Sequence, residues 1–378
     1  MSDCPLTLDA LPKPLQKHAD GAAPLPLRMM GAKGLVPAVA PLDLTTLLFV
    51  LSFDADPGIR ETAQKTAEGL PDKIWGVALR SEALQAPVLD WLTDRLRGRD
   101  DALELVLLNP STSDATVARL AATVSQKLAD IVRQNELRLL RHDDIVRRLC
   151  QNPNALASTV DGACDFCVRN GLTLLDVPQL VEAHRRIHGV DPAAAPAGET
   201  AAALMSDFAS ELAHDGGPEG PPHAETDEET LKKATITQRV LKMSVSEKIK
   251  LATLGNKEAR TLLLRDANRL VCMAAATSPR ITDGEIIGLA NSRTCNADVL
   301  RYIYDNREFV RNYAIKISLV KNPKVPLPTA LKLLVTLQEK DIKELSRDRN
   351  VPQTVQAQAK AYMMKKEQAA RGPMGGKH

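Results

Sequence analysis

Apolar residues recur at three- and four-residue spacing from about Gly34 to Gly189, broken only by short Pro, Gly and Asn punctuation, and the pattern resumes from Leu231 to about Lys366. That period predicts a succession of amphipathic helices in both stretches, joined by tight turns. Ahead of them, residues 1–30 carry Pro5, Pro12, Pro14, Pro24 and Pro26 with little periodicity, which predicts an irregular leader. Between Val190 and Glu229 Ala, Pro, Gly and acids dominate. Such a stretch buries too little apolar surface to offset ordering and reads as a linker. Leu204, Met205, Phe208 and Leu212 mark one amphipathic helix inside it, a candidate docking peptide. The expected organisation is a leader (1–30), an N-terminal helical domain (31–189), an acidic linker (190–229), a basic C-terminal helical domain (230–366) and a loose tail (367–378).

The helical text repeats itself. A shift of 44 residues brings Asn268 onto Asn312, Pro279 onto Pro323 and Ile281 onto Val325. A second correspondence aligns Leu289 with Leu345, Arg293 with Arg349 and Val299 with Val355. In the N-terminal half, Asn109-Pro110 and Asn152-Pro153 lie 43 residues apart. Each Ser-Pro or Asn-Pro pair follows an apolar helix and turns the chain, because the residue before proline is pushed out of the α region. A helix pair alone leaves one apolar face bare, so neighbouring pairs have to stack. Periods of ~40–47 residues belong to HEAT and armadillo arrays, and the expected fold class is all-α, an α-solenoid in two segments.

One segment resembles a known family. Asp56-Pro57, Ile59-Arg60, Ala63, Ala67 and Leu70 look like the second-helix signature of a HEAT repeat. The resemblance implies that Asp56 and Arg60 are structural residues that tie neighbouring repeats. The C-terminal half is similar to bacterial repeats of the leucine-rich-repeat-variant and HEAT kind, on the Ser278-Pro279-Arg280-Ile281-Thr282 and Asn322-Pro323-Lys324-Val325-Pro326 turns. Pro279 and Pro323 are then structural repeat positions. Fold follows from such a likeness more firmly than activity.

Composition narrows the function. Aromatics make up 3% of a chain that is 44% hydrophobic, which suits closely packed helices. The longest apolar run, Leu44 to Phe53, is about half of what a membrane-spanning helix needs. No export signal opens the chain, and six cysteines in 378 residues fit a reducing compartment, so a cytoplasmic location without membrane insertion is expected. The net charge of +2 conceals a division: residues 1–230 carry 21 Lys+Arg against 34 Asp+Glu, and residues 231–378 carry 28 against 13. Such asymmetry points to an acidic partner, or to the acidic linker folding back on the basic half and masking it.

Catalytic constellations are weak. Cys164 and Cys167, followed by His184 and His188, have ligand types and spacing that suggest a zinc site, but the intervening residues are helical and both cysteines fall inside a helix. Cys150 adds a third thiol without a nearby fourth for an iron–sulfur cluster. His142-Asp143 suits the start of a helix better than a metal-binding pair. Phosphate-loop, dinucleotide and nucleophile-elbow motifs are absent, and no His lies between His223 and His378 to serve as a base. No catalytic residue and no cofactor are expected. Two cationic clusters remain: Lys248, Lys250, Lys257, Arg260, Arg265 and Arg269, then Arg301, Arg307, Arg311, Lys316, Lys321 and Lys324, with Tyr302, Tyr304, Phe309 and Tyr313 interleaved in the second. The expected function is a scaffold for protein partners, with Lys257, Arg260, Arg301, Arg307, Arg311 and Lys316 as candidate contact residues. The alternative is nucleic-acid binding through the same basic half.

Overall fold

A computed structural model describes residues 4–194, 237, 238 and 240–370. Most of the acidic stretch, including Leu204 to Leu212, lies outside the described residues, as do residues 371–378. Every regular element among the described residues is helical, so the protein is all-α there. The chain forms two compact units, Met1–Arg169 with Thr173–Ala195, and Asn170–Leu172 with Pro196–His378.

The first unit begins in helices where the proline-rich leader was expected to be irregular. Lys13–Ala19 and Leu25–Ala32 are both α-helical, and Leu11, Leu15, Ala19 and Ala32 are buried. The prolines sit at the N-caps and in the first turns, where a missing N–H is harmless and a fixed φ favours the helix. Proline count therefore misled, because position within the helix matters more than number.

These two helices pack against Pro41–Leu51, which also meets Pro57–Glu68, Asp72–Leu79 and Ala86–Arg95. All eight residues from Leu44 to Leu51 are buried, as expected of a helix apolar all round. Thr45 and Thr46 tolerate this because their hydroxyls donate to the carbonyls of Pro41 and Leu42. Phe49 meets Phe53 and Trp91 edge to face, with centroids 5.1 and 5.6 Å apart. From there Asp72–Leu79 packs on Asp100–Leu108, which packs on Gln126–Gln134, which packs on Ala157–Arg169; Asp114–Ala121 packs on Asp143–Gln151.

Alternate helices are thus neighbours. The second unit follows the same rule: Val245–Leu254 packs on Arg269–Ala276, which packs on Ala297–Asp305, while Asp283–Asn291 packs on Tyr313–Lys321. Leu327–Leu334 and Glu339–Leu345 both rest on Gln353–Ala370. This last helix extends past Lys366, where a loose tail was expected to start.

The 44-residue correspondence covers three helices and a short fourth, rather than one helix pair. Asn268 caps Arg269–Ala276 and Asn312 caps Tyr313–Lys321, with Asp283–Asn291, Ala297–Asp305 and the five-residue Arg307–Arg311 between. The first unit has the same series: Asp100–Leu108, Asp114–Ala121, Gln126–Gln134, the short Glu136–Arg141 and Asp143–Gln151. The units therefore share one order of elements at an offset of about 170 residues, with Pro110 standing where Pro279 does and Pro153 where Pro323 does.

Buried asparagines hold the turns of this series. Asn109 donates Nδ2 to the carbonyls of Leu79 (2.7 Å) and Ser81 (3.1 Å), Asn152 to Ala121 and Val124 (both 3.0 Å), and Asn322 to Ala290 (2.7 Å) and Ser292 (3.0 Å). Each Oδ1 accepts the N–H two residues on, at 2.9 Å. One amide thus shapes its own turn and closes the C-terminal carbonyls of a helix about 30 residues earlier. At Ser278 the shorter side chain still accepts the N–H two residues on, at 3.5 Å, and the Arg280 guanidinium donates to the Leu254 carbonyl of the earlier helix at 3.3 Å.

Asp56 and Arg60 are structural, but within their own turn. Asp56 accepts from the N–H groups of Gly58 (2.7 Å) and Ile59 (3.3 Å), and Arg60 donates to the carbonyls of Asp54 (2.7 Å) and Ala55 (2.9 Å). The link between elements comes from Asp54, which pairs with Arg28 at 2.5 Å. Further along, Arg138 and Arg141 both reach Asp114, at 3.2 and 2.6 Å.

Candidate functional site

The two units carry a groove at the same place in their shared series. In the first it is lined by residues between Thr93 and Leu103, residues between Arg119 and Gln126, and Asn154, with a volume of about 820 Å³. In the second the lining comes from residues between Lys257 and Ala267, residues between Gly284 and Ala297, and Lys324, with a volume of about 1000 Å³. Asn154 and Lys324 are equivalent, each two residues after its buried asparagine.

Their electrostatics differ. In the first groove Asp94 sits 2.9 Å from both Arg97 and Arg119, and Asp100 accepts from Ser125 at 2.5 Å. Burial opposes ionisation of Asp94, but Arg97 and Arg119 outweigh it and hold the carboxyl below its usual range. Those charges neutralise one another.

In the second groove the acids are engaged by cations outside the lining. Asp266 pairs with Lys248 at 2.9 Å, and Glu285 pairs with Arg260 at 3.1 Å. Lys257, Arg265 and Lys324 line its walls. Arg265 is exposed and has no ion-pair partner among the described residues. Lys324 donates to the neutral carbonyl of Cys295 at 2.8 Å, which orients the ammonium and leaves its charge intact.

Two helical glycines add a second feature. Gly284 and Gly288 lie one turn apart on Asp283–Asn291 and both line the groove. A Cβ at Gly288 would meet nothing within 4 Å, and at Gly284 only Thr282 Oγ1 at 4.0 Å. Alanine would fit at both, and at the interior Gly288 it is better by ~1 kcal/mol, so packing does not require glycine here. Bare backbone beside cations lets a ligand chain approach closely.

The candidate contact residues separate accordingly. Lys257 lines the groove, joined by Arg265 from its own cluster and Lys324 from the other. Arg260 is corrected: it is only 4% exposed, and its guanidinium donates to Glu285 and, at 3.0 Å, to the Gly255 carbonyl, so it holds the fold and touches no partner. Arg301 is exposed and pairs with Asp305 of its own helix at 3.5 Å. Arg307 and Arg311 are exposed at the two ends of their short helix, and Lys316 is half-buried; none of these four lines the groove. The clustered rings are engaged as well: Tyr302 meets Phe309 edge to face at 5.9 Å, and the Tyr313 hydroxyl bonds Asp341.

The metal candidates do not come together. Cys164 and Cys167 are buried on Ala157–Arg169, and Cys164 lies 3.7 Å, sulfur to sulfur, from the half-buried Cys150. The His184 and His188 rings meet at a tilt of 50° with centroids 4.7 Å apart, and His184 Nδ1 is 3.1 Å from the Val190 carbonyl. Among the described residues no group of three or more His, Cys, Asp or Glu side chains is placed to hold a metal ion. Spacing does not say which face a helix turns inward: Pro178–His188 packs on the cysteine helix through Leu180 and Ala183 and leaves His184 half-buried and His188 exposed, while Cys150 arrives from Asp143–Gln151. Two glycines one turn apart on a helix, Gly284 in its first turn and Gly288 in its interior, beside cations are the legible signal for the groove.

No protein-family model, curated protein or solved structure matches this chain.

Proposed function

We propose that each unit is an α-solenoid of the HEAT or armadillo kind, and that the protein is a non-enzymatic cytoplasmic scaffold. Its C-terminal unit receives an acidic segment of a partner protein in the groove lined by Lys257, Arg265 and Lys324. The carrying observation is the charge imbalance of that groove: both lining acids are neutralised from outside, whereas Arg265 and Lys324 keep their charge. Apolar Leu264, Leu289 and Ala297 complete the walls, which suits a peptide with small apolar side chains between its acids. Nucleic acid is disfavoured because no aromatic ring lines the groove and the unit therefore offers no stacking platform there. No helix among the described residues is long and apolar enough to cross a membrane.

Full-length protein is expected to bind a fluorescent Asp/Glu-rich peptide with an affinity that falls as salt is added. Reversing Arg265 and Lys324 together to Glu should weaken binding about 30-fold, from roughly 1 kcal/mol for each reversed charge. The same reversal at Arg301 and Arg307 should change little. Duplex DNA binding that depends on Arg265 and Lys324, with no peptide binding, would replace this reading with the nucleic-acid one.

The chain's own acidic stretch is a natural competitor. Residues 195–229 carry nine Asp+Glu and no Lys or Arg. Deleting them is expected to tighten peptide binding; an unchanged affinity rules out masking.

A further inference from the structure

We propose that Cys150 and Cys164 are an oxidation site at which hydrogen peroxide converts two thiols into a disulfide joining Asp143–Gln151 to Ala157–Arg169. The sulfurs lie 3.7 Å apart, already in contact and on packed helices, and forming the bond requires them to close to ~2.05 Å. Cys150 is half-buried while Cys164 and Cys167 are buried, which makes Cys150 the sulfur that meets the oxidant. The contact with Cys164 holds the Cys150 thiol below its usual range, although burial and the charge of Asp161 act against it. Contact with Cys150 and burial raise the Cys164 thiol, and burial pushes the Cys167 thiol up to about 12, so of the three Cys150 ionises first and meets the oxidant.

The chemistry balances in two steps. The Cys150 thiolate attacks one peroxide oxygen, the O–O bond breaks, and Cys150 becomes a sulfenic acid while the other oxygen leaves as hydroxide and is protonated to water. The Cys164 sulfur then attacks the Cys150 sulfur and the S–O bond breaks. Its own proton joins the departing hydroxide as a second water. Two electrons pass from the thiols to the peroxide, and a reduced dithiol reverses the change by exchange.

The bond would span the Asn152-Pro153-Asn154 turn. Asn152 and Asn154 hold the carbonyls of Val124 and Thr123, and these two residues line the first unit's groove. Oxidation therefore staples the wall of the N-terminal groove, a property separate from the basic groove of the C-terminal unit.

The three cysteines share one tryptic peptide, so the test uses cleavage before aspartate, which separates 144–160, 161–164 and 165–175 and gives each cysteine its own fragment. Folded full-length protein treated with peroxide, alkylated and digested is expected to yield 144–160 joined to 161–164, with the loss of two hydrogen atoms. In Cys164→Ser, Cys150 should accumulate as a sulfenic acid trapped by dimedone; in Cys150→Ser, Cys164 should stay alkylatable. A link from either fragment to 165–175, or recovery of Cys150 and Cys164 both alkylated after Cys4 has been oxidised, overturns the proposal. The wild-type digest decides this alone, whether or not the serine variants fold.

Discussion

Arg260→Ala is expected to lower the stability of the C-terminal unit by about 3–5 kcal/mol, because it leaves a buried carboxylate without its counter-charge. The side chains of Arg260 and Glu285 are 5% and 4% exposed, so neither group recovers water when the other is removed. Glu285 has a second duty, accepting from the Thr282 N–H and hydroxyl, both at 2.8 Å, in the capping box of Asp283–Asn291. Loss of Arg260 thus strains a helix start as well as a pair. Glu285→Gln keeps an oxygen for the Thr282 bonds but strands the buried Arg260 guanidinium instead, so a loss of similar size is expected. Replacing both residues by apolar ones of similar volume should recover much of the loss, because most of the penalty is an unpaired ion rather than a missing attraction.

The chain provides its own probes for this measurement. Both tryptophans, Trp75 and Trp91, lie in the first unit, and all four tyrosines, Tyr302, Tyr304, Tyr313 and Tyr362, lie in the second. Urea unfolding followed by tyrosine near-ultraviolet dichroism should show the lowered midpoint while the tryptophan fluorescence transition stays in place. An unchanged tyrosine midpoint would mean that the Arg260 and Glu285 pair contributes nothing net.

Asn322→Ala should cost about 2–3 kcal/mol on the same tyrosine signal, since one substitution orphans several backbone groups. The Ala290 and Ser292 carbonyls lose their donor, and the Lys324 N–H loses its acceptor. Asn322→Asp should be worse than alanine, because a carboxylate would face two carbonyl oxygens with nothing to donate. Asn152→Ala should produce a matching loss on the tryptophan signal. A change below about 0.5 kcal/mol at Asn322 would show that water replaces the amide and that the turn does not depend on it. Against a total of ~5–15 kcal/mol for a domain, either Arg260 or Asn322 is a large fraction.

The 43- and 44-residue correspondences were legible because each turn repeats the same local chemistry: a helix end, a polar residue before proline, then an N-cap. Their meaning was not. The ties that connect helices span about 30 residues and join a turn to the end of an earlier helix, so a shift that superposes similar words counts three helices as readily as two. The leader shows the converse error: Pro12, Pro14, Pro24 and Pro26 stand at helix starts rather than against helix interiors.

Arg260 and Arg265 mark the boundary between what the chain declares and what folding decides. Five positions apart in one basic cluster, they look alike as letters, yet one is sealed beneath a helix and the other faces a groove. By itself the sequence determined the all-helical class, the turn positions, the apolar faces and the charge division of the two halves, because each depends on residues a few places apart. Only the tertiary structure decided which arginine meets Glu285, that Lys257 and Lys324 line one groove, and that Cys150 touches Cys164. Burial and pairing are set by a neighbour arriving from another turn of the chain, and no local period records which side chain that neighbour will bring.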